Sequence, residues 1–67
     1  MENYIDFKKK LYYAILEFLE EPDEETSQQL FGKLCENIKN YHIERHREEM
    51  MQFLLTIKSI SDNHHRE

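Results

Sequence analysis

The groups of this 67-residue chain that could do chemistry are four histidines, one cysteine and fourteen acidic side chains. His42 and His46 stand four apart, so on a helix they share a face at the spacing of two imidazole metal ligands, with Glu49 one turn further on. A metal site needs at least three ligands and a second shell that orients them, and neither a firm third ligand nor a second shell can be identified. Both histidines also fall where a helix must break and polar side chains are expected, so the expectation is a solvated turn and no metal. His64 and His65 form the second pair. If the last helix continues, His64 projects in phase with Ile57 and Ile60, and His65 with Leu54. From there they can bond the open carbonyls of a helix C-terminus, where positive charge is favoured, or touch a following segment. Cys35 has no partner for an internal disulfide and no zinc-type spacing, and no histidine-carboxylate arrangement accompanies it, so it reads as a small hydrophobe. The expectation is a protein that is not an enzyme and carries no cofactor. A metal- or pH-responsive regulator built on the four histidines is the alternative reading.

The elements that would position these groups are helices. Asn3 can cap a first helix, with Asp6 at its third position. Along it Tyr4, Phe7, Leu11, Ala14, Ile15 and Phe18 form one apolar edge, and Ile5, Tyr12, Leu16 and Leu19 the other. The arc spans about 200°, interrupted by Lys8, which can lay its stem on apolar surface. Pro22 within E-P-D-E-E ends that helix, and the acidic residues suit the start of the next. Thr26 with Gln29 has a capping-box pattern. The second helix carries the narrow stripe Leu30, Phe31, Leu34, Ile38 and Tyr41. Gly32 within it points to a close helix approach or a local kink.

The strongest pattern runs from Glu48 to Arg66, where Met50, Phe53, Leu54, Ile57 and Ile60 make a wide stripe and Met51 and Leu55 a second edge, an arc of about 220°. The stripes before and after Tyr41 are rotated by about 130°, so one straight helix cannot present both to one core; a break is expected near Asn37 to Glu44, with Asn40 as a cap. The fold expected is all-α, three helices over about 4-20, 24-39 and 44-62 in an up-down-up array, a single small domain over 1-67. Phe53, Leu54 and Ile57 are expected to be the most buried residues of the third helix, facing Leu34, Ile38, Leu11 and Ile15, with Met50 filling the core.

Composition narrows the partners. A net charge of −5 with interspersed Glu and Lys argues against a nucleic-acid surface, and the single basic run Lys8 to Lys10 sits between acidic neighbours. The apolar run Leu11 to Leu19 is broken by Glu17 and is too short to span a bilayer, so neither a membrane nor a signal peptide is indicated. One unpaired cysteine fits a reducing, cytoplasmic setting.

The segment Ile43 to Arg66 resembles the helical N-terminal region of ankyrin-repeat proteins from trichomonad protozoa. The likeness is carried by Glu48-Glu49, Phe53-Leu54, Ile57, Ile60-Ser61 and Asn63-His64-His65-Arg66, and the amphipathic start with its acidic loop fits too. Met51 and Leu55 depart from it, being apolar where polar residues are expected, and no T-P-L-H ankyrin signature occurs. The resemblance implies a leader module that precedes further helices and repeats. The resulting expectation is a helical protein-interaction module, a homo-oligomer or one that packs on an adjacent helical or repeat region. Its partner-binding residues are Tyr12, Leu16, Leu19, Met51, Leu55, His64 and His65, which a three-helix array leaves uncovered.

Overall fold

Asn3 stands in extended backbone and its side chain accepts a hydrogen bond from the Asp6 N–H at 2.9 Å, which starts α1, Tyr4–Glu20. The computed structural model of the chain describes residues 3–64, and three helices account for nearly all of them: α1, then α2 over Glu24–Lys39 and α3 over Glu44–His64. The expectation for the terminal histidines therefore falls partly outside: His65 and the side chain of His64 lie beyond the described residues. Among the described residues there is no strand.

α2 is capped one turn earlier than the Thr26–Gln29 pattern suggests. Asp23 is the N-cap: its carboxylate accepts from the Thr26 N–H at 2.9 Å and from the Thr26 hydroxyl at 2.7 Å. Thr26 thus sits inside the first turn. Two bonds to the ionised form hold the Asp23 carboxyl below its ordinary range, the Thr26 hydroxyl contributing most. The break after α2 falls where the change of stripe requires it. Asn40 closes α2 with its N–H on the Glu36 carbonyl, and the Tyr41 N–H donates to the Ile38 carbonyl. Tyr41 then folds inward and is buried.

The direction of the helices follows from which side chains meet. Phe18 lies against Phe31 and Phe7 against Tyr41, so α1 and α2 are antiparallel. Tyr4 stacks on His46 and Tyr12 lies against Phe53, so α1 and α3 run parallel. Each helix packs on the other two, and the α1–α3 contact is the slimmest. The core consists of Leu11, Ile15 and Phe18 from α1, Leu34 and Ile38 from α2, Tyr41 from the loop, and Met50 and Leu54 from α3.

Two expectations are corrected here. Phe53 is 42% exposed, whereas Met50 and Leu54 are 3% and 0% exposed. The wide α3 arc can be turned toward the core in more than one way; the observed phase centres it on Met50 and Leu54, which leaves Ile57 half-buried and tips Phe53 to the α1 side and Ile60 out to solvent. Gly32 has no close approach to explain it, since a Cβ there would meet nothing within 4 Å, and α2 runs through it as one helix.

Two outcomes follow from this packing. Leu54→Ala should cost about 2–5 kcal/mol and abolish a cooperative urea transition, while Phe53→Ala should cost clearly less and keep one. Asp23→Ala should lower the melting temperature at neutral pH. Because the native carboxyl is held below its unfolded value, its contribution is present above the ordinary carboxylate range and fades as pH falls through the native value. Thermal melts of the wild type and the variant should therefore converge in acid.

Candidate functional site

Two regions bring side chains together. The first is an aromatic pole at the start of α1 and α3. α1 supplies Tyr4 and Phe7, the α2–α3 loop Tyr41 and His42, and α3 His46. The Tyr4 and His46 rings are stacked, with centroids 3.6 Å apart and planes 9° from parallel. Tyr41 lies 5.8 Å from Tyr4, 4.7 Å from Phe7 and 5.9 Å from His46, and His42 lies 4.5 Å from Tyr41. The polar groups here hold structure together. The Tyr4 hydroxyl donates to Glu49 Oε2 at 3.1 Å, Lys8 Nζ sits 4.8 Å over the Tyr4 ring, and the Arg47 guanidinium donates to the Tyr41 carbonyl, which fastens the loop to α3. Desolvation, followed by the Glu49 carboxylate, raises the Tyr4 phenol above its ordinary value, so it remains a donor at neutral pH.

These contacts decide what His42, His46 and Glu49 can do. The face of His46 is taken by Tyr4 of α1, and Glu49, on the same helix as His46, accepts from the Tyr4 hydroxyl. Among the described residues no three His, Cys, Asp or Glu side chains come together as a metal-binding group. His46 Nδ1 is buried with no protein partner. Cys35 is half-buried at the edge of the core.

The second region is a seam along the outside of the α1–α3 groove. It begins at a notch of about 140 Å³ lined by Tyr4, Lys8, Leu11, Tyr12, Glu49, Met50 and Phe53. Tyr12 and Phe53 meet there, with ring centroids 5.5 Å apart. Because the helices are parallel, helical periodicity then brings Leu16 level with Ile57 and Leu19 level with Ile60. Tyr12, Leu16, Leu19, Phe53 and Ile60 are between 39% and 57% exposed, so the apolar side chains along this seam are open to solvent. The three α1 residues expected to be left uncovered are on it.

The two α3 residues named with them are elsewhere. Met51 and Leu55 project about 160° around α3 from Phe53, on the α2 side. Met51 is half-buried against the core, and Leu55 is exposed at 47%. Sequence reasoning instead missed Phe53 and Ile60 as exposed residues of the strip, having assigned both to the core-facing stripe. The signal that could have found them is their four-then-three spacing with Ile57, which repeats that of Tyr12, Leu16 and Leu19.

At the opposite end, an open cleft of about 390 Å³ lies between the ends of α1 and α3 and the start of α2, lined by Phe18, Pro22, Glu24, Lys58 and Asp62 among others. Lys58 is engaged there, 2.8 Å from Asp62 and over the Phe31 ring at 5.6 Å. Among the described residues, no helix is long and apolar enough to cross a membrane.

No protein-family model, no curated protein and no solved structure matches this chain.

The unpartnered His46 nitrogen gives a stability test of the pole. His46→Phe retains a ring on Tyr4 and removes a buried polar atom that lacks a protein partner, so it should stabilise the fold by about 1 kcal/mol. Urea denaturation of the two proteins measures this, and a less stable variant would show that the nitrogen is satisfied by solvent.

Proposed function

We propose that this chain is a non-enzymatic helical interaction module that buries the apolar edges of α1 and α3 against another helical surface, either a second copy or helices that follow it. The observation that carries this reading is the open strip formed by Tyr12, Leu16 and Leu19 beside Phe53, Ile57 and Ile60. Soluble proteins seldom leave contiguous apolar patches of more than a few hundred square ångströms uncovered, so a strip two helices wide calls for a partner. The binding residues are Tyr12, Leu16 and Leu19 with Phe53 and Ile60. Leu55 forms a separate edge on the α2 side, suited to a following helix, and α3 ends at His64, from which such a helix would continue. The resemblance to the leader region of trichomonad ankyrin-repeat proteins supports the same role, a helical segment that packs on what comes after it.

The histidine-based alternative has less to stand on, because His46 is engaged in a ring stack and Glu49 in a hydrogen bond.

Light scattering with hydrophobic-dye binding tests the proposal. Leu16→Lys places a charge in the middle of the strip and should abolish both self-association and dye binding while leaving helical content intact. Leu55→Glu should leave association at the strip unchanged. A wild-type monomer that binds no dye, or association lost through Leu55→Glu alone, would overturn this assignment.

A further inference from the structure

The seam carries enough pattern to specify its occupant. We infer that it is covered by a second copy of this chain, related by a two-fold axis that runs across the helices, so that α1 lies antiparallel on α1 and α3 antiparallel on α3. This rests on the reading of the seam as an interface.

A two-fold interface must be complementary to itself. The strip meets that requirement when reversed end for end about a point midway between Ile15 and Leu16 on α1 and between Thr56 and Ile57 on α3. Tyr12 then faces the partner's Leu19, and Phe53 faces the partner's Ile60, a ring against a smaller aliphatic side chain at each end. The spacing of Tyr12, Leu16 and Leu19, and of Phe53, Ile57 and Ile60, is that of alternating a and d positions, the pattern that interlocks between helices crossing at a shallow angle.

Charge selects the antiparallel arrangement. Lys9 and Glu20 are both exposed and lie three turns apart, on the same outer flank of α1 and on either side of Leu16. Antiparallel pairing sets Lys9 within reach of the partner's Glu20, and symmetry makes that pair twice. A parallel two-fold would lay α1 on α3 instead. It would offer Lys9 the partner's Glu49, whose carboxylate already accepts the Tyr4 hydroxyl, and would set Glu20 near the partner's Ser61, with no opposite charge.

Size sets the strength. The backbone measures 40 × 17 × 16 Å, so even a whole long face would offer at most about 600 Å² per copy, below the ~800 Å² of a standard interface, and the strip from Tyr12 to Leu19 covers only about 10 Å of its length. The dimer should therefore be reversible and concentration-dependent.

Sedimentation equilibrium on the 67-residue chain, from micromolar to millimolar concentration, tests this, with circular dichroism to confirm that each variant is folded. The wild type should fit a monomer–dimer equilibrium. Lys9→Glu and Glu20→Lys should each raise the dissociation constant about fivefold or more, since each turns two attractive pairs into repulsive ones. The double variant Lys9→Glu, Glu20→Lys should restore it to within about twofold of the wild type. Glu20→Lys with no effect, or a species larger than a dimer, overturns the antiparallel two-fold. A wild type that is monomeric throughout overturns the second copy as occupant. In that event, a monomer whose dye binding is removed by Leu16→Lys leaves the interface reading standing with a different partner, and a monomer that binds no dye overturns both.

Discussion

The whole array depends on the meeting of Leu34, Ile38 and Leu54, the side chains that water does not reach. Two come from one face of α2 and one from α3, and Leu11 and Ile15 of α1 close over them. A chain this short removes only about 60% of its unfolded surface from water, so its stability is a small surplus. The ring contacts of the pole and the Asp23 cap add to that surplus. The ion pair Lys58–Asp62 is exposed, and such pairs contribute little. Interior packing at this junction sets the phase of α3, and that phase decides which of its apolar residues are spent inside and which remain at the surface.

The aromatic pole and the seam are the two consequences of that phase. At the pole, where Tyr41 turns inward, rings stack and the polar atoms around them bind one another: Tyr4 to Glu49, Arg47 to the loop carbonyl. That end is sealed by its own chain. Further along the α1–α3 groove, the helices present Tyr12 and Phe53, then Leu16 and Ile57, then Leu19 and Ile60, with no third element among the described residues laid over them. His42 and His46 belong to the pole and the open apolar residues to the seam, which is why binding is the reading we propose.

Much of this could be read from residue order. The Asn3 cap, the stop at Pro22 and the break before Glu44 are local features, and a change of stripe phase fixed the break without any tertiary information. The limits have physical causes. α3 carries apolar residues around more than half its circumference, so periodicity alone cannot tell whether Phe53 or Met50 faces inward; contacts with α1 and α2 decide it. Thr26 and Asp23 both have capping chemistry, and the chain uses the earlier one because Glu24 and Glu25 already lie in the first turn. The stack of Tyr4 on His46 joins residues from opposite ends of the sequence and has no local signature. Leu16 was legible as an uncovered residue, whereas its neighbours across the groove were not.

The two connections are only Glu21–Asp23 and Asn40–Ile43, and this has a consequence for how the chain reaches its native state. Sequential helices joined so tightly meet with little loop entropy, and topologies dominated by such neighbours fold in microseconds to milliseconds. The α1–α3 contact is different, because it closes the chain across the whole of α2. It is the slimmest of the three helix contacts and carries the greatest loop-closure cost. A partner bound on that seam would bridge the slimmest helix contact, and if opening begins there its occupancy would slow unfolding more than it would hasten folding.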